Sequence, residues 1–284
     1  MTLRRWTALS FGPLCACLLA LSASCGGGEN ELLLGATTSV QDTGLLDEIV
    51  RAFEGVTDYD VKPVVGGSAQ ILETARRGEF DVILTHSPAD EDRFMEDEEG
   101  LDRRAVMLNY FLIAGPADDP AGVRDAADLR AAFERIASGG HSFVSRGDNS
   151  GTHRREQSIW EELGVEPDGQ SWYQVSSVGQ GQNLLVAADK RAYTLTDSST
   201  YTTFAARVGL EALLTDTEKP NVYSVIRINP AKHEGINAAG AIALSEFMTS
   251  IGGQCLVEEF GVEEHGESLF QPALGSCPVS DVGG

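Results

Sequence analysis

The residues best equipped for chemistry stand in one run, Phe143-Val144-Ser145-Arg146-Gly147-Asp148-Asn149-Ser150-Gly151-Thr152-His153. It reads as the end of an apolar strand, a polar turn, and a helix that starts near Ser150 or Gly151 and stops at Gly164. A helix start leaves about four backbone N–H groups without intrahelical acceptors, and the helix dipole puts partial positive charge there. Gly151 lets a ligand approach the backbone, Ser150 and Thr152 add hydroxyl donors, and Arg146 can fork onto an oxyanion. Taken alone, the run is equally a capped helix after an ordinary turn, with Asp148 or Ser150 as the N-cap. Its recurrence favours an anion cradle. Thr37-Thr38-Ser39 and Gly67-Ser68-Ala69 also close apolar strands and open helices, and Gly179-Gln180-Gly181-Gln182 is a fourth such turn. Hydroxyls, amides and one guanidinium suit a small oxyanion that has no proton to donate. Neutral hydrogen bonds contribute about 1 kcal/mol each and charge-assisted ones about 1.5–3 kcal/mol, so six or seven together can bind tightly.

The elements that must position these turns alternate along the chain. Strands are expected at 31–37, 61–65 and 80–85, with helices at 44–53, 70–77 and 89–98 between and after them. Such alternation argues for parallel sheets with right-handed crossovers, in which ligands bind outside the carboxyl ends of the strands. Residues 105–114 form a longer strand, broken by 116–122, and a second set follows. It has helices at 123–136, 152–163, 181–189 and 198–206, and strands at 143–145, 173–175 and 191–195. The extended run 222–228 returns the chain, and helix 238–249 with the region of Cys255 and Cys277 packs back on the first unit. This gives an α/β protein of two lobes, 31–112 with 226–284 and 113–225, joined by two crossing strands.

With 21 Lys and Arg against 43 Asp and Glu, the formal charge is −22, which argues against a nucleic-acid partner. An anion site in this chain must therefore win locally, through donors at contact distance. Residues 1–24 carry Arg4 and Arg5, an apolar run and then small residues, the order of a secretory signal; a membrane anchor is the alternative, but the run is short and contains Pro13. Leu21-Ser22-Ala23-Ser24-Cys25-Gly26 resembles a bacterial lipobox, which implies lipidation of Cys25, and 25–30 reads as a tether. That leaves Cys255 and Cys277, either one disulfide worth about 3 kcal/mol or two buried thiols; neither has a metal-ligand partner at fitting spacing.

Ala36-Thr37-Thr38-Ser39 with Gly44-Leu45-Leu46, Asp81 to Pro88, Gly115 to Gly122, Phe143 to His153 and Ala192 to Asp197 together resemble the tungstate-binding proteins of Tup-type ABC transporters. The likeness spans roughly residues 32–250, and Ser-Arg-Gly-Asp-x-Ser-Gly-Thr-His is its most specific piece. It implies a type II periplasmic-binding-protein fold, each lobe a mostly parallel sheet flanked by helices. It also implies capture of tungstate, often with molybdate. Thr38, with Ser39 beside it, Arg146 and Thr152 are the ligand residues it implies; Ser68, Ser150 and Gly151 complete the candidate set. The second turn departs from the family's Gly-Thr-Gly by reading Gly66-Gly67-Ser68, and the fourth reads Gly179-Gln180-Gly181 for Gly-Met-Gly. No cofactor and no metal ligand set are implied. The expected partners are an ABC permease with its ATPase, and the expected place is the extracytoplasmic face of the cell membrane, as a lipid-anchored monomer.

Phosphate or sulfate is the alternative ligand on the same fold. Phosphate at neutral pH carries a proton and needs an acceptor, which Asp148 supplies unless it caps the helix. A secreted hydrolase is the rival from another class, but Gly147-Asp148-Asn149-Ser150-Gly151 is not a Gly-x-Ser-x-Gly elbow, and Ser150 and His153 sit badly for attack. His86, His141, His233 and His265 lack metal spacing and read as surface or loop residues. Trp160 and Trp172 read as core.

Overall fold

The computed structural model describes residues 30–277, so the signal segment 1–24, Cys25 and nearly all of the tether lie outside the described residues. The chain opens with β1 (Glu31–Thr37), α1 (Thr38–Asp42), α2 (Leu45–Glu54), β2 (Asp60–Gly66), α3 (Ser68–Ala75), β3 (Val82–Thr85) and α4 (Pro88–Glu96). The polar turn expected after β1 is thus a short helix, packed into the core through Val40. Strand β4 (Gly100–Gly115) leads into α5 (Leu129–Gly139), β5 (Phe143–Ser145), α6 (Gly151–Leu163), β6 (Tyr173–Val175), α7 (Gln180–Asp189), β7 (Thr194–Asp197) and α8 (Ser198–Val208). The helix expected over 123–136 is instead a single 3-10 turn and then α5, because the Asp128 carboxylate caps Ala131 N–H and starts the helix afresh. Strand β8 (Glu211–Ile228), α9 (Ala238–Thr249), α10 (Ile251–Glu259), α11 (Val262–His265) and β9 (Gln271–Pro272) complete the fold.

One sheet runs β2-β1-β3-β8-β4-β7, with β9 on β4; β5 and β6 pair separately, and Phe143 bridges Tyr193 in parallel. The expected parallel pairing holds for β2-β1-β3 and β5-β6, whereas β8 and β4 lie antiparallel to their neighbours, so the main sheet is mixed. With 16 and 18 residues, β4 and β8 span roughly 50–60 Å and run through both lobes. The first half of β8 was not foreseen in the sequence. Residues 211–220 are mostly exposed and charged, and pairing with β4 is what makes them a strand. The ladder between the two shifts register at four places, including Tyr110/Leu112, and Pro220 opposite Tyr110 offers no N–H.

Apolar side chains gather on both faces of each lobe. The first lobe packs Leu34, Leu46, Phe53, Val82, Tyr223 and Leu244 on one face and Ile71, Phe80, Phe94 and Ile226 on the other. The second packs Phe133, Phe143, Trp160 and Leu195 on one face and Val144, Leu184 and Phe204 on the other. Along β4, Met107 joins the first-lobe core and Phe111 the second; along β8, Leu213 and Leu214 join the second and Tyr223 the first. Cys255 and Cys277 form a disulfide with Cα atoms 4.9 Å apart, which ties the C-terminal segment to α10. Among the described residues, no helix is long and apolar enough to cross a membrane.

Candidate functional site

Four helix starts meet where the lobes face each other: those of α1 and α3 from the first lobe, α6 and α7 from the second. A Cβ built on Gly67 would come 3.4 Å from the Asp148 carbonyl, which puts the second turn against the long third one. Arg146 Nη2 donates to Thr38 Oγ1 at 3.2 Å, joining the first turn to the third. The Asp42 carboxylate at the end of α1 accepts the Gly181 N–H at 3.0 Å, joining the first to the fourth. Only α6 has a side-chain cap among the four: Ser150 Oγ accepts from His153 N–H. The N–H groups of Gly151 and Thr152 precede the first intrahelical donor, Arg154 N–H, so they have no intrahelical acceptor.

Arg146 is the largest fully buried side chain, 1% exposed in a protein of strongly negative charge. Its Nη1 donates to Gln180 Oε1 at 2.9 Å, and its Nη2 is paired with Asp148 Oδ2 as well as Thr38. Asp148 Oδ1 accepts Ser150 N–H at 3.1 Å, so this carboxylate neutralises the guanidinium and braces the turn, while Ser150 is the N-cap. Ser68 Oγ, Arg146 Nε and Thr152 Oγ1 are buried with no partner among the described residues. A buried polar atom left unpaired costs about 1–3 kcal/mol, and folded proteins carry few of them. Here three belong to two of the converging turns, one from each lobe. The arrangement offers hydroxyl, amide and guanidinium donors while the Asp148 carboxylate and Gln180 Oε1 are engaged, chemistry that suits an oxyanion with no proton to donate.

Beneath the first turn lies a buried polar relay. Tyr223 OH donates to Ser39 Oγ at 3.0 Å, and Ser39 Oγ lies 3.4 Å from His86 Nε2 and 3.3 Å from Thr37 Oγ1. His86 Nδ1 is 2.9 Å from Asn221 Oδ1, which makes Nδ1 the protonated nitrogen and Nε2 an acceptor for Ser39. Burial pushes His86 down to about 4, so the ring is neutral at neutral pH. The reading of His86 as a surface residue is corrected: it is 2% exposed and stacks on Tyr223 at 4.5 Å. Residue type could not reveal this, because the burial comes from β8 and from Gly151. A Cβ on Gly151 would lie 2.6 Å from the His86 carbonyl oxygen.

The expected residues therefore separate by geometry. Thr38 and Arg146 touch; Ser68 and Thr152 keep unpaired hydroxyls; the Ser39 and Ser150 hydroxyls are engaged internally; Gly151 packs on His86. Asp42 and the Asn221–Tyr223 pair went unnoticed in the sequence, and Gln180 was read only as part of the fourth turn, not as a partner of Arg146. Asp42 had only its place beside the first turn to mark it. Among the described residues, no group of three or more His, Cys, Asp or Glu side chains could hold a metal ion.

Comparisons with known proteins place the chain in a family. Residues 24–251 match the PBP superfamily domain. The chain is 39% identical over 247 residues to the tungstate-binding protein TupA of Peptoclostridium acidaminophilum, covering 86% of each. It is 41% identical over 264 residues to a putative ABC transporter anion-binding protein of Haloferax volcanii, covering 90% of this chain and 76% of that one. The solved structure described as the tungstate ABC transporter from Geobacter sulfurreducens superposes with a TM-score of 0.72 at 36% identity, over 80% of this chain and 97% of that one.

Proposed function

Since the chain belongs to the tungstate-binding proteins of the periplasmic-binding-protein superfamily, we propose that it captures tungstate, with molybdate as a second ligand, for an ABC importer. It is a binding protein and not an enzyme, and the oxyanion is cargo rather than cofactor. One observation carries the reading: Ser68 Oγ, Arg146 Nε and Thr152 Oγ1, buried and unpartnered, come from turns on both lobes. In this reading those atoms, Thr38 Oγ1 and the N–H groups at the starts of α1, α3 and α6 hold the anion. Ser39 and Ser150 brace the cradle from behind.

The lobes close about β4 and β8, bending near Tyr110/Leu112, where the register breaks, and near Pro220, which lies opposite Tyr110 and lacks an N–H; the expected hinge at 224–228 pairs instead with residues 100–105 inside the first lobe. The closed form is then handed to a permease driven by its ATPase. Lipidation at Cys25 would hold the exported protein at the extracytoplasmic face of the membrane as a monomer. Tungstate is favoured over phosphate because Asp148 is committed to Arg146 and to Ser150 N–H. A protonated phosphate would bring an O–H to a site whose nearest carboxylate acceptor is already engaged. Calorimetric titration of the purified domain with tungstate, molybdate, sulfate and phosphate tests this. Saturable 1:1 binding of tungstate with no phosphate heat is expected; phosphate binding more tightly, or tungstate not binding, would overturn it.

A further inference from the structure

The fourth helix start is met by a carboxylate that reaches it from the opposite lobe. Helix α7 has ten residues, begins at Gly179 in extended conformation, and no side chain of its own turn caps it. Asp42 reaches it from the opposite lobe, with Oδ2 3.0 Å from Gly181 N. A Cβ on Gly179 would lie 3.7 Å from the same oxygen, so the carboxylate is seated over the first turn of the helix. Gly181 itself is fixed by packing, since a Cβ there would come 2.2 Å from the Phe204 ring. Asp42 is half-buried, and the charged groups facing it are Arg146 and Asp197.

We propose that Asp42 is a closure residue: its carboxylate takes the α7 start in place of the ligand and clasps the second lobe onto the first. This rests on the binding reading above and refines it, because the ligand then shares three helix starts and the protein supplies the anion for the fourth. A bond made only when the lobes meet acts on ligand retention and leaves the first encounter with one lobe untouched. A helix start facing a carboxylate gains both a charge-assisted bond and the dipole interaction.

The test is stopped-flow fluorescence with sodium tungstate on the wild type, Asp42→Ala and Asp42→Asn. Asp42→Ala is expected to raise the dissociation rate about tenfold or more while the association rate changes less than about threefold. Asp42→Asn keeps an acceptor without the charge and should fall between the two. If Asp42 acted only as a negative charge repelling the dianion, both variants would bind more tightly, and the proposal would be wrong. Hydrogen exchange at the Gly181 amide, followed at saturating tungstate with the lobes closed, reads the clasp apart from affinity: it should be faster in Asp42→Ala. Unchanged exchange overturns the clasp even where tungstate binds. Wild-type protein that ignores tungstate overturns the binding reading instead, and the clasp, which rests on it, falls with it.

Discussion

Replacing Arg146 by alanine is the most demanding perturbation of the site, because this guanidinium serves two functions. It supplies the cradle's buried cation, and it cancels the charge of Asp148, with which it is paired. Loss of a charge-assisted bond costs about 1.5–3 kcal/mol. Unit charges at about 4 Å and an effective dielectric constant near 20 interact by about 4 kcal/mol, so an unbalanced Asp148 adds repulsion of comparable order. Roughly 3 kcal/mol or more should be lost, a weakening of tungstate binding above about a hundredfold. The double variant Arg146→Ala/Asp148→Asn removes the stranded carboxylate and should recover about tenfold. Arg146→Lys keeps the charge but cannot bridge Gln180 and Thr38 together, and should lie between. Calorimetry gives the affinities, and a thermal melt of the ligand-free proteins confirms that each is folded. Affinity of Arg146→Ala within about threefold of wild type would refute the reasoning, as would a double variant no better than the single one.

Gly151→Ala should weaken tungstate binding about tenfold or more and cost about 1–3 kcal/mol in urea unfolding, because the added carbon meets the His86 carbonyl and must push the α6 start away. Burial raises the Glu156 carboxyl to about 7, so between its ordinary 4.5 and 7 the folded protein keeps a proton that the unfolded chain has lost. Stability therefore falls as pH rises through that window, by roughly 3 kcal/mol at most, and then levels off. Glu156→Gln retains the oxygen that accepts from Tyr173 OH and Trp160 Nε1, so urea unfolding should find it more stable than wild type at pH 8 and similar below pH 4.5. Cys255→Ser with Cys277→Ser releases a closure of 22 residues, worth about 3 kcal/mol, and should lower the melting temperature by roughly 6–12 °C with tungstate affinity unchanged.

Most of the site's parts were legible in the sequence because they are local. Each turn follows an apolar strand and precedes a helix within about five residues. The donor chemistry of Thr38, Ser68, Arg146 and Thr152 can be read from residue type once that order is seen. The family resemblance rested on the same short strings. Counting left Cys255 and Cys277 as either a disulfide or two buried thiols, and the tertiary structure, with the Cα atoms 4.9 Å apart, decided for the disulfide. Less legible were elements whose stability comes from a distant partner. Residues 211–220 carry no apolar rhythm and become a strand only by lying on β4. His86 sits in a sequence that reads as a loop and is buried by residues distant along the chain, on β8 and at Gly151.

Local sequence thus determined which turns could offer donors to an anion, since helix starts and hydroxyls need only their neighbours. What each donor does with its bond was decided by tertiary structure. Ser39 and Ser150 were drawn inward, Ser68 and Thr152 were left unpaired, and Asp42 was carried 139 positions to the Gly181 amide. The reason is that a hydrogen bond is directional and short-ranged, so its partner is chosen by whichever groups packing brings within about 3 Å, and separation along the chain says nothing about that.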